Sequence, residues 1–303
     1  MAEPGGGDGA VAVAGATGYV GGILTERLVG EGEEVMALAR SRERARGLAQ
    51  LGAEVREADV QRPETLSTAL EGAVTAYYLV HSMGRGAGTG FAERDRRGAA
   101  NFARAAAAAG VTRIVYLGGL GEGSEHLDSR HETAEVLAAG DVPVTYLRAA
   151  AVIGAGSESF RTMLYLVKRL PVMITPRWVE TRTQPIAVDD VVAHLAAARR
   201  LGAEAEREIE LGGPDVTTYG GMMDELARAL GKRPPPRVTV PVLSPRLSSL
   251  WIGLITPVDT GVARPLVEGL AEETVVRDPS GMELFEIDRT PLPEAMRRAL
   301  ASG

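Results

Sequence analysis

Along the first half of the chain, short β-branched and apolar runs alternate with stretches whose apolar positions recur every three or four residues. The runs are AVAVAG (10–15), EVMALA (34–39), AEVREA (53–58), AVTAYYLV (73–80), RIVYLGG (113–119) and VPVTYLRA (142–149). Between them lie YVGGILTERLVGEG, RERARGLAQL, PETLSTAL, AERDRRGAANFARAAAAAG and ETAEVLAAG, all with helical spacing. Strand–helix alternation of this length predicts parallel strands joined by right-handed crossovers, hence an α/β fold with a doubly wound sheet. The near-continuous apolar character of the strands fits a sheet covered on both faces.

After about residue 150 the rhythm breaks. A predicted helix, FRTMLYLVKRL (160–170), gives way to PVMITPRWVETRTQPIAV, which has three prolines and little period. The helix DDVVAHLAAARRLG, the short strand REIELGG (207–213) and the helix YGGMMDELARALG (219–231) follow, then the breaker KRPPPR and an irregular tail. The organisation expected is a flexible tail over 1–9, a sheet domain over 10–200, and a small C-terminal substrate cap over 201–303 partly interleaved with the sheet. No internal repeat is visible.

Composition narrows the class. The 303 residues are 45% hydrophobic and 24% charged, an ordinary globular balance. A formal charge of −7 argues against a nucleic-acid partner, since phosphate binding wants a basic surface. The absence of cysteine excludes disulfides, thiolate metal sites and a thiol nucleophile, and fits a reducing compartment. Four scattered histidines give no metal-ligand spacing, so no metal site is expected. MAEPGGGDGA has no signal-peptide pattern, and no apolar run is long enough to span a bilayer; the longest, LSSLWIGLITPV (247–258), reads as a buried segment. A cytoplasmic protein acting on a small molecule is the expectation.

The stretch GATGYVG places glycines at 15, 18 and 21 where the first strand turns into the first helix. In that context the triplet predicts a dinucleotide site in a Rossmann-type sheet. Gly15 would make the tight turn, Gly18 would admit the pyrophosphate, and Gly21 would let helix and strand approach. The cofactor-binding set there is Gly15, Thr17, Gly18, Tyr19, Val20 and Gly21, with backbone amides near 19 and 20 aimed at the phosphates. At the close of the second strand an NAD site would carry an acid for the ribose 2′-hydroxyl. This chain has Ala39 and then RSRERAR, so Arg40 is expected to hold a 2′-phosphate, favouring NADP(H) over NAD(H). Arg42, Arg44 and Arg46 read as a solvated helix face.

With these residues in hand the chain resembles the short-chain dehydrogenase/reductase superfamily, in its atypical NmrA-like branch. ADV (58–60), LVHS (79–82), LRAAAVIG (147–154), QPIAVDDVV (184–192) and GGPDVTTYGGMMDELARALGK (212–232) extend the resemblance over roughly 10–232. The resemblance implies that Asp59 and Val60 flank the adenine, that Leu79 and His81 lie where the fourth strand approaches the cofactor, and that Ala150 borders the nicotinamide. In that superfamily a serine after the fifth strand and a Tyr-x-x-x-Lys helix carry the proton chemistry.

Here the fifth strand ends YLGGLG, with Gly118 and Gly119 at the serine's place, and no Tyr-x-x-x-Lys follows. The surrogate with the same spacing is His126-x-x-x-Arg130, in HLDSRHE. Histidine can exchange a proton near neutrality, and a fixed guanidinium can orient a ribose or steady an oxyanion. A second reading makes Ser129–Glu132 a capping box, with the helix starting at 129 and His126 in a loop. A substrate wall would come from Met83, Phe160, Trp178 and Arg182, apolar with one cation. Two functions follow. One is an NADPH-dependent oxidoreductase reducing a carbonyl, quinone or activated alkene of a small apolar substrate. The other is a non-catalytic NADP(H)-binding redox sensor or assembly factor.

Overall fold

The computed structural model of the protein describes residues 9–81, 90–240 and 272–303. Strand β1 (Ala10–Ala14) leads through the glycine turn into α1 (Tyr19–Gly30), and β2 (Val35–Ala39) into the short α2 (Arg46–Leu51). Next come β3 (Glu54–Glu57), α3 (Leu66–Leu70), β4 (Ala73–Tyr78), α4 (Phe91–Ala108), β5 (Arg113–Gly119), α5 (Glu125–Ala138) and β6 (Val144–Ala149). The predicted six-strand rhythm is present.

Beyond β6 the elements shorten: β7 (Val152–Ile153), α6 (Glu158–Arg169), β8 (Met173–Pro176), β9 (Arg182–Thr183), β10 (Ile186–Ala187) and α7 (Val188–Ala198). They are followed by β11 (Glu208–Leu211), β12 (Thr217–Thr218), α8 (Tyr219–Ala229), β13 (Arg237–Val240) and a final helix, α9 (Leu292–Ala301). That last helix corrects the expectation of an irregular tail: Pro293 near its first turn and Met296 on its buried face mark it, but ten residues carry too few apolar positions to stand out.

Seven strands form one sheet in the order β11-β6-β5-β4-β1-β2-β3, every neighbouring pair parallel. The order reverses between β1 and β4, the crevice where such sheets take a nucleotide. Alternation along the strands divides the core. Ala12, Met36, Tyr78, Tyr116 and Tyr146 pack under α3, α4 and α5 on one face; Val11, Val13, Tyr77, Val115 and Leu147 pack under α1 and α7 on the other. A third cluster, with Phe160, Met163, Met222, Leu226 and Met296, binds α6, α8 and α9 to one another. β11, from the later region, closes the sheet edge beside β6. No helix among the described residues is long and apolar enough to cross a membrane.

Candidate functional site

The turn after β1 is built by steric necessity. Gly15 adopts φ +89°, and a Cβ there would stand 2.6 Å from the Leu79 carbonyl oxygen. A Cβ on Gly21 would meet the Gly15 carbonyl oxygen at 2.2 Å, so helix and turn touch through backbone alone. Gly18 differs: its Cβ would face only the Gly15 oxygen, at 3.2 Å, and the residue is exposed. Gly18 is the N-cap of α1 and offers no side-chain oxygen to the first-turn amides. Thr17 is exposed, Tyr19 and Val20 half-buried. An uncapped helix start behind an open glycine is the setting that accepts a diphosphate. Those residues therefore fit a dinucleotide.

On the far side of β1, Arg40 is exposed directly after β2, with no carboxylate at the strand's end. Asp59 and Val60 follow β3 in a braced turn. The Asp59 Oδ1 accepts from the Gln61 amide at 2.9 Å, its own amide donates to Thr65 Oγ1 at 3.0 Å, and Asn101 Nδ2 donates to the Val60 carbonyl at 2.9 Å. Gly98 on α4 lets this turn approach, since a Cβ there would lie 2.9 Å from Val60 Cγ2. Asp59 thus shapes the turn.

At the other edge, Leu79 donates its amide to the Ala14 carbonyl and carries the chain off β4 to His81. His81 keeps an exposed edge although protein surrounds much of its ring. Burial, and secondarily the positive charge of Arg130, push its pKa down, so the imidazole is neutral at pH 7.

The helix that bears the histidine–arginine pair begins earlier than the capping-box reading expects. Ser124 is the N-cap of α5, its Oγ accepting from the Leu127 amide at 3.3 Å, and Ser129 lies a full turn inside. The Ser129 hydroxyl is buried and makes no hydrogen bond. The capping box at 129 is therefore overturned: the local pattern fits, but Ser124 competes for the cap after the glycine-rich GEG turn. His126 and Arg130 consequently occupy positions one turn apart on α5; the His126 side chain is outside the described residues. Arg130 Nη1 donates to the Leu117 carbonyl at 3.4 Å, which sets the guanidinium against the end of β5.

Gly118 and Gly119 have a steric cause. A Cβ on Gly118 would fall 2.6 Å from the Tyr146 ring and 2.7 Å from its hydroxyl; one on Gly119 would fall 2.6 Å from Leu127 Cδ2. The phenol of Tyr146 fills the volume in which a β5 serine would stand. That hydroxyl is buried without a hydrogen-bond partner, and burial holds its pKa well above the usual tyrosine range. Sequence reasoning missed Tyr146, though a glycine pair ending a strand is the signal of a large neighbour.

A second missed residue is Arg148 on β6, 6% exposed. It pairs with Glu208 of β11 and donates to the carbonyls of Gly119 (3.4 Å) and Gly121 (3.0 Å) and to His131 Nε2 (2.7 Å). The same His131 Nε2 lies 3.3 Å from the Gly121 carbonyl oxygen. The β5–α5 turn is tied down by this knot.

The expected substrate wall does not assemble as drawn. Phe160 is 1% exposed inside the third core cluster and lines no surface, which corrects its assignment: its helical spacing marks packing. Arg182 is exposed on β9, ion-paired to Glu273 at 2.9 Å. Trp178 is half-buried against the third cluster with its indole N–H unpartnered, and Ala150 is buried, its amide bonded to the Leu211 carbonyl. Met83, the loop GRGAGT and the segment 247–258 lie outside the described residues. Among the described residues no cluster of ligands could hold a metal.

Residues 15–160 match the NAD(P)H-binding family. No curated protein matches the chain by sequence. Among solved structures, triphenylmethane reductase of Citrobacter sp. superposes with a TM-score of 0.78 at 22% identity, covering 96% of this chain and 99% of that one. NADPH-dependent quinone oxidoreductase of Escherichia coli, solved with NADPH, gives 0.77 at 23% identity over 94% and 98%. A nucleoside-diphosphate-sugar epimerase of Staphylococcus aureus gives 0.74 at 17% over 95% and 99%. These likenesses show a shared Rossmann-type fold.

Proposed function

We propose, from the match of residues 15–160 to the NAD(P)H-binding family, that this protein is an NADPH-dependent oxidoreductase. Its substrate is a small apolar molecule with a reducible carbonyl, quinone or activated alkene. The observation that carries this reading is the uncapped α1 start behind Gly18, with an exposed Arg40 where a 2′-hydroxyl site would need an acid. Two fold relatives, by name a triphenylmethane reductase and a quinone oxidoreductase, were solved with NADP(H) and NADPH, which supports the cofactor and suggests the substrate class.

The bound nicotinamide would supply a hydride. The α1 amides would bind the diphosphate and Arg40 would hold the 2′-phosphate. Arg130, always charged, steadies negative charge developing on the substrate oxygen but gives up no proton. His126, one turn earlier on α5, delivers the proton to that oxygen. His81, neutral, acts by hydrogen bonding.

Two measurements test this. NADPH and NADH titrations of wild type and Arg40→Ala should show NADPH affinity falling about 10- to 100-fold in the variant, with NADH unchanged, as loss of a charge-assisted contact implies. Equal affinities for both in wild type would sink the Arg40 assignment. NADPH consumption is then followed with quinones, enones and triphenylmethane dyes, and again for His126→Ala.

A second reading, the non-catalytic sensor, is favoured by the glycine pair at 118–119, which sterically excludes the superfamily's serine. Tight NADPH binding with no turnover across that panel would establish it in place of the first.

A further inference from the structure

The side chain of Tyr19 has a setting that the phosphate turn alone does not require. Its ring leaves the start of α1 and enters a slot in the segment after β7. A Cβ on Gly154 would stand 2.3 Å from the Tyr19 hydroxyl, and a Cβ on Gly156 would stand 2.3 Å from its Cδ2. Neither glycine adopts a left-handed φ, so backbone conformation does not demand glycine at either place. The demand comes from the ring. The same Gly154 Cβ would meet Val188 Cγ1 of α7 at 2.8 Å, so the slot is closed on its other side. Burial raises the Tyr19 pKa, the Gly156 backbone opposing it only in part, so the phenol stays protonated.

The two parts joined in this way lie on opposite sides of the crevice. Tyr19 opens α1 after the β1 turn; residues 154–156 follow β6 and β7, on the β4–β6 side of the point where strand order reverses. A dinucleotide spans that point, its adenosine end read beyond β2 and its nicotinamide end therefore towards β5 and β6.

We propose that Tyr19 is a positioning residue: its ring, held between Gly154 and Gly156, locks the diphosphate turn to the wall that receives the nicotinamide half. This rests on the dinucleotide reading of the β1–α1 turn. Binding the whole coenzyme then needs both halves of the cleft in register, whereas an adenosine fragment needs only one. Loosening the tie forces the coenzyme to order the cleft itself, at a cost in affinity.

The test compares NADPH with 2′,5′-ADP, the adenosine-side fragment, by calorimetric titration of the full chain. For Tyr19→Ala, NADPH affinity should fall about tenfold or more while 2′,5′-ADP changes less than about threefold. Tyr19→Phe, which keeps the ring and loses only the hydroxyl, should recover most of the NADPH affinity. If Tyr19→Ala fails to fold, Gly156→Ala keeps the phosphate turn intact, fills the slot and should show the same divergence. Parallel loss of both ligands, or loss of neither, would overturn the proposal. Wild-type protein binding neither NADPH nor 2′,5′-ADP would instead overturn the dinucleotide reading beneath it.

Discussion

Gly15 and Gly21 are the positions at which a single added methyl meets backbone, and backbone cannot step aside as a side chain can. At Gly15 two costs combine, a left-handed φ and a 2.6 Å approach to the Leu79 carbonyl. Gly15→Ala should therefore destabilise the fold by about 1–3 kcal/mol and abolish NADPH binding. Chemical denaturation beside a cofactor titration reads both; unaltered stability would show that the turn relaxes freely. These glycines were legible because spacing and context together imply close contact. Tyr146 and Arg148 were not, because their roles arise from partners on other strands: the phenol from Gly118 of β5, the guanidinium from Glu208 of β11 and carbonyls of the β5–α5 turn. Linear spacing carries no record of such meetings. Arg40 falls between, since its place after β2 could be read but not its neighbours.

At the level of elements, the helix starts are where sequence pattern and structure part company. Both Ser124 and Ser129 precede plausible first turns, and only the folded β5–α5 connection decides between them. The consequence is a paired prediction. Ser124→Ala removes the cap of α5 and should cost about 1 kcal/mol. Ser129→Ala removes a buried hydroxyl that has no partner, so it should be neutral or mildly stabilising. Urea midpoints of the two variants check this, and a larger loss at Ser129 would restore the later helix start. The strand–helix alternation itself was readable because buried parallel strands need uniformly apolar residues. The short pieces β7, β9 and β10 were not, since two-residue strands have no period to detect.

Over the whole molecule, the last thirty-two residues are fastened across the sheet and the third core cluster rather than trailing from them. Asp190, buried at the start of α7, accepts from the Thr290 amide at 2.7 Å and from its hydroxyl at 2.8 Å, and Asp215 accepts from the Leu292 amide at 2.7 Å. Beside Asp190, His194 is 1% exposed. Its Nδ1 donates to the Asp190 carbonyl at 2.7 Å, and its ring meets Phe285 edge-on, with centroids 4.9 Å apart. The interior thus closes on a neutral imidazole, and burial depresses its pKa in the folded protein, the local hydrogen bond and Asp190 opposing only in part. The unfolded chain binds a proton there near the ordinary histidine value, about 6.5, which the folded chain refuses. Stability contributed by this closure is complete above that value and declines as the pH falls from it towards the lower folded pKa. Thermal unfolding followed from pH 7.5 down to about pH 5 should show that decline, and His194→Gln, which has no proton to gain, should flatten it. Protonation of His194 would strain the contact with Phe285 first, so protease cleavage within 272–303 should rise over the same interval. A decline of equal slope in the variant would assign the effect to other groups, the depressed His81 foremost.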